Sequence, residues 1–380
     1  MKLSVLDQSP SAKGVSQSIA IRESIELARH CDALGYHRYW VSEHHNSDSI
    51  VGTAPEVLMA AIAATTSRIR VGSAGVMLPH YSALKVAEQF RVLEGIAPGR
   101  IDLGVGRAPG SDRLTAFALN PNSNAAEEFP EQVRDLQDWV SGTPLPAGHA
   151  FRQITAHPLG PTSPELWILG SSNYGAQLAA YFGLPYAYAY FFSEGKGVEE
   201  ALELYRHHYQ PSERFPKPIA TICVWALAAD SEAEARRLLM TREFWRVGFE
   251  RGLRMPLVTP EEAAAYPYSN DEVATIEKLR ARALVGTPSQ VAALLIGLGE
   301  RHVSEHGARC QWLTAHLHSL RRPGDFPRAQ TLVPSDVQQV AVSRSEFHDS
   351  VRQGEDRERR SRHHIGDLRS DRATRAGCSP

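Results

Sequence analysis

Ile69-Arg-Val-Gly-Ser-Ala-Gly-Val-Met-Leu-Pro79 is the stretch that decides the fold class of this 380-residue chain. It begins as a buried strand and then passes into Ser73, Ala74 and Gly75, three small residues that let a flat ligand lie against the backbone. Residues 83–96 then have the periodicity of an amphipathic helix. Parallel α/β enzymes build sites where a strand opens into small residues before a helix. A tight strand-to-helix turn without a ligand would show the same pattern.

The same alternation of strand and helix repeats along most of the chain. Strands are predicted at residues 2–6, 39–41, 69–79, 101–107, 166–169, 186–192 and 219–229, and each leads into a helix, the longest connection being a polar loop over 109–124. Seven units in one direction favour a closed (β/α)₈ TIM barrel over an open sheet. Residues 310–315 alternate like a strand, and we expect them to fill the eighth place. The alternative is an incompletely closed barrel that depends on a partner subunit.

Three segments depart from this rhythm. Residues 151–159 are typical of a short excursion hairpin. Residues 245–278 are long, rich in proline and predicted to be irregular, and insertions of this kind are often lids. Residues 344–376 are rich in arginine and poor in apolar side chains, which indicates disorder. We therefore expect a barrel over residues 1–320, with a lid insertion at 245–278, and an atypical tail over 321–380.

Composition limits the class of protein. The formal net charge of −2 argues against nucleic acid or an acidic membrane surface as the main partner. No apolar run is long enough to span a bilayer. The four cysteines form no C-x-x-C pair, which favours a reduced cytoplasmic setting without structural zinc. The carboxylate and histidine ligands of a metal-dependent hydrolase do not recur at several strand ends, so we expect no metal.

Polar motifs follow three of the predicted strands. Glu43-His44-His45 follows the second strand, where barrel enzymes place working residues; an imidazole there can act as a base, and a polar strand cap is the structural alternative. Gly104-Val-Gly-Arg107 ends the fourth strand, and its glycines and guanidinium suit a phosphate site. The competing interpretation, a Rossmann fingerprint, is weaker because the glycine spacing does not match. Gly170-Ser171-Ser172 opens a helix, where it can bind phosphate or simply cap the helix.

In their order and spacing these motifs resemble the flavin-dependent bacterial luciferase-like monooxygenases. The matching pieces are residues 41–45, 71–79, 86–89, 99–100, 104–107 and 285–288, and the likeness runs from residue 1 to about residue 298. It is strongest for luciferase-like oxidoreductases of unassigned substrate. Luciferases carry a reactive cysteine where this chain has Gly106 and a Glu-Ser pair where it has Ser171-Ser172, so light emission is not implied.

The resemblance implies reduced FMN at the carboxyl ends of the barrel strands. His44 matches the histidine that helps to form and hold the flavin C4a-hydroperoxide. The pair Ala74-Gly75, which follows Ser73, matches a non-proline cis peptide beneath the flavin ring. Arg107 matches the arginine that binds the flavin phosphate, and the loop Gly170-Ser171-Ser172 matches the one that shares this phosphate.

The resulting hypothesis is a monooxygenase that uses reduced FMN and O₂ to oxidise a small organic substrate. Aromatic residues from Tyr188 to Phe192 are candidates for an apolar substrate pocket. A separate flavin reductase would supply the reduced FMN, since no NAD(P)H motif stands out, and the enzyme is expected to be a homodimer. The alternatives are a deazaflavin (F420)-dependent hydride-transfer oxidoreductase and a non-catalytic flavin-binding protein.

Overall fold

A computed structural model describes residues 2–122, 124–253 and 255–302, and the backbone of residues 310–316. Within these ranges the strands are β1 Lys2–Asp7, β2 Arg38–Val41, β3 Arg70–Ser73, β4 Val76–Met77, β5 Ile101–Gly106, β6 Glu165–Gly170, β7 Tyr186–Tyr188, β8 Ala220–Ala228, β9 Leu284–Gly286 and β10 Cys310–His316. The helices are α1 Gln17–Ala33, α2 Pro55–Thr65, α3 Ala83–Ile96, α4 Arg113–Leu119, α5 Phe129–Ser141, α6 Asn173–Tyr181, α7 Tyr190–Ser193, α8 Val198–His208, α9 Glu232–Glu250, α10 Pro260–Ala264, α11 Asn270–Arg280 and α12 Pro288–Arg301.

The strands pair in parallel and close into a barrel. The order is β1, β2, β3, β5, β6, β7, β8 and β10, and β10 pairs with both β8 and β1. Leu313 stands opposite Leu3 on one side and Ile222 on the other. The (β/α)₈ barrel and the eighth strand over residues 310–315 are therefore confirmed. The short β4 continues the line of β3 along β5, and β9 pairs with the last residues of β8.

Apolar side chains fill both faces of the sheet, as expected when helices cover a parallel barrel. The large outer cluster packs strand residues such as Val5, Val71 and Ile101 against the helices. A smaller inner cluster is formed by Leu6, Trp40, Trp167, Ala187 and Cys223. None of the helices in the described ranges is long and apolar enough to cross a bilayer.

An ion network closes the barrel at the amino-terminal ends of the strands, an end that we call the floor. Asp102, which is fully buried, accepts hydrogen bonds from Arg38 Nε at 2.8 Å, Arg70 Nε at 2.9 Å and Trp40 Nε1 at 2.9 Å. Glu165 is the second carboxylate, 2.8 Å from Arg38 and 3.1 Å from Arg70. Burial alone would raise the pKa of Asp102, but Arg38 and Arg70 hold it below its ordinary value. The floor thus contains two arginines balanced by two carboxylates.

Two segments between strands differ from the prediction. The expected polar loop over 109–124 contains α4, which begins where the Asp112 carboxylate accepts hydrogen bonds from the N–H groups of Leu114 and Thr115. α4 has no buried residue, so it shows no amphipathic pattern in the sequence. The hairpin expected over 151–159 is absent from these described residues. That segment is instead held by Arg91, whose Nε donates to the Pro158 carbonyl at 2.6 Å.

The aromatic strand and the proline-rich segment also differ. β7 ends at Tyr188 rather than at residue 192, and the next aromatic residues form the short helix α7. The segment 245–278, predicted to be irregular, is largely helical, because α9 continues to Glu250 and α10 and α11 follow. Capping boxes begin both later helices, at Thr259 with Glu262 and at Ser269 with Glu272. This S/T-x-x-E spacing is visible in the sequence and could have located them.

Candidate active site

The carboxyl ends of the strands, which we call the mouth, carry the predicted site residues. Between β3 and β4 the peptide bond from Ala74 to Gly75 is cis, as the resemblance implied. A Cβ added at Gly75 would lie 2.9 Å from the carbonyl oxygen of Gly104 in β5. Ser73 is fully buried, and its hydroxyl donates to the Gly104 carbonyl at 2.8 Å and accepts from the Gly104 N–H at 3.1 Å. Ser73 therefore holds β3 against β5, and Ala74 is the least buried of the three small residues.

Glu43 organises the backbone next to this turn, and sequence reasoning assigned it no role. It is 1% exposed, and one carboxylate oxygen accepts the Tyr81 hydroxyl at 2.6 Å and lies 2.7 Å from His45 Nε2. The other oxygen accepts the Met77 N–H at 2.9 Å. Burial, reinforced by the Glu43 carboxylate, raises the pKa of Tyr81. Glu43 thus holds β4 against the loop that follows β2. Its place in the Glu-His-His motif was the only signal in the sequence.

His44 faces different partners from His45. Its Nδ1 lies 3.2 Å from the Ser42 hydroxyl, and its backbone N–H donates to the Gly52 carbonyl at 2.9 Å. Burial lowers the pKa of His44 to about 4, and the nearby Glu43 carboxylate offsets only part of this effect. The imidazole is therefore neutral at pH 7 and can accept or donate one hydrogen bond. The described residues contain no group of three or more His, Cys, Asp or Glu side chains placed to hold a metal ion.

The end of β5 and the start of α6 bring the predicted phosphate-binding residues together. Arg107 is exposed, and its Cζ lies 3.9 Å from the ring centre of Tyr174, the second residue of α6. No carboxylate within the described ranges forms an ion pair with Arg107. Ser171 and Ser172 are also exposed, and Ser172 occupies the N-cap position without a side-chain hydrogen bond to the helix. An exposed guanidinium, two exposed serines and the first turn of a helix therefore lie together.

Gly170 shapes this corner through its backbone. Its carbonyl accepts the N–H of Ala189 at 2.8 Å, and a Cβ at Gly170 would lie 3.4 Å from the Cα of Gly175 in α6. The absence of side chains at both glycines thus allows α6 to start close to the end of β6. Sequence reasoning found Gly170 but missed Tyr174, because the contact of Tyr174 with Arg107 spans 67 positions and leaves no local pattern.

The loop after β5 joins the two halves of the site. The His45 N–H donates to the Gly110 carbonyl at 3.2 Å, and His80 Nε2 lies 2.8 Å from the Pro109 carbonyl oxygen. Gly110 has a φ of +59°, and a Cβ there would clash with the terminal methyl of Met77. The loop that carries Arg107 therefore packs against the Glu43–Met77 corner, so the site is continuous from β2 to β6.

Comparison with known proteins identifies the family. The model of the luciferase-like monooxygenase family matches residues 1–305. The chain belongs to this family. A luciferase-like monooxygenase of Escherichia coli (strain K12) is 40% identical over 289 residues, which cover 76% of this chain and 84% of that protein. An N-acetyl-S-alkylcysteine monooxygenase of Bacillus subtilis (strain 168) is 36% identical over 300 residues, which cover 78% and 89%.

Solved structures agree on the fold. The crystal structure of apo-MsnO8 is 34% identical, has a TM-score of 0.73 and covers 83% of this chain and 92% of that one. Two more distant structures support the fold alone. One is the oxygenating constituent of a 3,6-diketocamphane monooxygenase of Pseudomonas putida in complex with FMN, at 18% identity, TM-score 0.59 and coverage of 84% and 92%. The other is an F420-dependent secondary alcohol dehydrogenase at 15% identity, TM-score 0.60 and coverage of 83% and 92%.

Proposed function

We propose that this chain is an FMN-dependent monooxygenase that oxidises a small organic molecule. The observation that carries the proposal is the exposed Arg107, which has no ion-pair partner among the described residues and stacks on Tyr174 beside the exposed Ser171 and Ser172. When bound, reduced FMN would supply the electrons that activate O₂ as the C4a-hydroperoxide. One oxygen atom would go to the substrate, and the other would leave as water.

The phosphate of FMN fits the Arg107 corner for a physical reason. An arginine without a carboxylate partner keeps its fork of donors available for a dianionic phosphate. The nine-residue helix α6 directs its first N–H groups toward the same place, and a helix amino terminus favours negative charge. Stacking on Tyr174 fixes the orientation of the guanidinium plane, so less rotamer entropy is lost on binding.

The flavin ring would lie on Ala74 and Gly75, with His44 at its edge. Only small residues stand at this turn, so a flat ring system can approach the backbone. A neutral His44 can donate a hydrogen bond to an oxygen atom near the ring without placing a full positive charge there. In this proposal, His44 acts on the oxygen chemistry, and Arg107 acts on flavin binding.

The segment 245–278 is proposed to restrict water at the mouth. The Lys13 N–H, in the loop after β1, donates to the Leu257 carbonyl at 2.8 Å. Trp245 Nε1 donates to the Ser49 hydroxyl, in the loop after β2, at 2.9 Å. The segment is therefore attached to two of the loops that border the site. Activated oxygen survives longer where water is excluded, which is the contribution we expect of this lid.

Flavin binding provides the direct test. Arg107→Ala should weaken FMN binding by about 1.5–3 kcal/mol, the range for a hydrogen bond to a charged group. Riboflavin lacks the phosphate and should bind the wild type and the variant equally. Arg236→Ala removes another exposed arginine, on α9, and should change neither affinity. An equal loss for FMN and riboflavin on Arg107→Ala would remove Arg107 from the phosphate site.

Turnover separates the candidate activities. Reduced FMN, supplied by a separate flavin reductase, should give substrate-dependent O₂ uptake, whereas reduced deazaflavin should not. Because one relative is an N-acetyl-S-alkylcysteine monooxygenase, N-acetylated S-alkylcysteines are rational first substrates. Hydride transfer from deazaflavin without O₂ uptake would favour the F420-dependent alternative. Tight FMN binding without turnover on a broad substrate panel would favour a non-catalytic flavin protein.

A homodimer is also part of the proposal. Val57 on α2 and Val92 and Ile96 on α3 are 66%, 51% and 46% exposed. These two helices are neighbours, and we propose that a second copy covers these exposed apolar side chains. Light scattering should give twice the monomer mass, and Val92→Glu should shift the protein toward the monomer. A monomeric wild type at micromolar concentration would contradict this part.

A further inference from the structure

A second group of charged residues lies at the mouth, away from the Arg107 corner. A cavity of about 20 Å³ is enclosed between β8, α9 and α11, with Glu194, Trp225, Leu239, Arg242, Leu279 and Ala283 among its lining residues. A space of this size holds one or two water-sized groups, which is also the size of a carboxylate head.

Strand periodicity places this cavity on the inner side of the barrel. Cys223 of β8 belongs to the inner cluster with Trp40 and Trp167. Side chains two positions apart on a strand face the same side, so Trp225 points inward as well, one layer nearer the mouth. Phe191 of α7 packs against both the inner cluster and the cluster around Trp225. Ala74, the proposed flavin platform, also packs against the inner cluster, so the cavity and the platform adjoin the same core.

Arg242 of α9 is the cationic group of the cavity. Its Cζ lies 4.2 Å from the Trp225 ring centre, and its Nε is buried without a hydrogen-bond partner among the described residues. Its nearest carboxylate, Glu194, is 3.9 Å away, too far for a hydrogen bond. Burial lowers the pKa of Arg242 to about 10, so the side chain is still charged at pH 7. Such a buried charge without a close partner is costly unless a ligand completes its shell.

Two charged neighbours of Arg242 are paired with other residues. Glu243 contacts Arg280 through both of its oxygens at 2.6 and 2.8 Å, and Arg246 pairs with Glu250 at 3.1 Å. These pairs leave Glu194 as the carboxylate beside Arg242 among the described residues. Burial raises the pKa of Glu194, and Arg242, Arg246 and Arg282 offset only part of this effect.

We propose that Arg242 and Trp225 form the anion-recognition end of the substrate pocket, and that the substrate carries a carboxylate on an apolar body. The carboxylate would accept hydrogen bonds from the Arg242 guanidinium, and the apolar body would extend past Phe191 toward the flavin platform. The assignment of this cavity to the substrate rests on the proposed monooxygenase function. Binding of a carboxylate at Arg242 does not depend on that function and is tested separately.

Calorimetry of the full chain with hexanoate and hexanamide tests the proposal. These probes share a chain and differ in charge. The wild type should bind hexanoate about tenfold or more tightly than hexanamide, as expected for a charged hydrogen bond. Arg242→Gln should abolish this preference and Arg242→Lys should retain part of it. Arg236→Ala, which removes an exposed arginine of the same helix, should retain all of it.

A second variant keeps the test decisive if Arg242→Gln fails to fold. Glu194→Gln removes the competing carboxylate and should tighten hexanoate binding severalfold while leaving hexanamide unchanged. Equal affinity of the wild type for both probes, no binding of hexanoate, or a preference that survives in folded Arg242→Gln would overturn the proposal. FMN and riboflavin titrations of the same proteins report on the flavin site alone. A wild type that binds FMN but shows no preference for hexanoate would therefore overturn this proposal and leave the proposed function standing.

Discussion

The floor and the mouth of the barrel use arginine in opposite ways. At the floor, Arg38 and Arg70 are largely buried, with side chains 5% and 17% exposed, and each contacts two carboxylates. At the mouth, Arg107 is exposed, is stacked on Tyr174, and has no carboxylate partner within the described residues. Both ends belong to the same parallel barrel, so strand geometry alone does not explain the difference.

The difference teaches how structural and ligand-binding charges can be separated. A buried charge needs a partner, from the fold or from a ligand, because its desolvation is not otherwise compensated. An exposed charge costs little to leave unpaired in water, so it remains available for a ligand. The floor residues should therefore control the free energy of unfolding, whereas Arg107 should control the affinity for FMN. Four substitutions, from the largest expected effect to the smallest, test this division.

Asp102→Asn should have the largest effect, because it leaves two buried arginines facing one remaining carboxylate. Removing one partner of a buried ion network costs about 3–5 kcal/mol of the free energy of unfolding. Urea denaturation measures this loss, and FMN affinity of the folded fraction should not change. Glu26→Gln breaks an exposed ion pair with Arg29 and should cost less than about 1 kcal/mol. Similar losses for the two variants would contradict the structural role of the floor.

Glu43→Gln examines a mouth residue that resembles the floor. Glu43 is buried and contacts Tyr81, His45 and the Met77 N–H, so glutamine would remove the charge and leave one acceptor oxygen where the carboxylate offers two. We expect a loss of about 1.5–3 kcal/mol in urea denaturation, the range for hydrogen bonds to a charged group. Tyr81→Phe removes a single donor and should cost less. If Glu43→Gln proves neutral, the carboxylate does not support β4.

His44 should make stability depend on pH. Its folded-state pKa of about 4 lies below the unfolded value of about 6.5, so the unfolded chain binds a proton more readily. The free energy of unfolding should therefore fall as pH drops from about 6.5 to 4, by up to about 1.4 kcal/mol per pH unit from this group. His44→Asn should reduce the slope by up to that amount, with His208→Asn at an exposed position as the control. Identical slopes for wild type and His44→Asn would mean that His44 titrates normally.

Much of the barrel could be predicted because its signals are local. The predicted bounds of α3 coincide with the observed ones, and α12 begins at Pro288 after the Thr287 N-cap, as capping rules predict. The alternation over residues 310–315 was enough to locate β10. α4 was missed for the opposite reason. It buries no residue, so only the Asp112 cap could have indicated it.

The candidate site was less predictable, because its contacts join distant positions. Glu43 meets Tyr81, 38 positions away, and Arg107 meets Tyr174, 67 positions away. The sequence could predict that the strand ends converge at the mouth. The residue that each side chain contacts there depends on packing, which no local pattern shows. Ser73 illustrates this point. As a small residue at a strand end, Ser73 was predicted to lie beside a ligand. The pairing of β3 with β5 instead directs its hydroxyl to Gly104.

Arg107→Ala should have the smallest effect on stability of the four, although it has the clearest effect on FMN. The side chain is exposed, and its stacking on Tyr174 is worth about 0.5–1 kcal/mol at such a site. Urea denaturation without flavin should therefore show a loss no larger than that, several times smaller than the loss for Asp102→Asn. Tyr174→Phe preserves the ring and should be nearly neutral. With saturating FMN the gap between wild type and Arg107→Ala should widen, because a ligand stabilises a protein according to its affinity for the folded state. A loss of several kcal/mol without flavin would place Arg107 among the structural arginines, and the contrast between floor and mouth would fail.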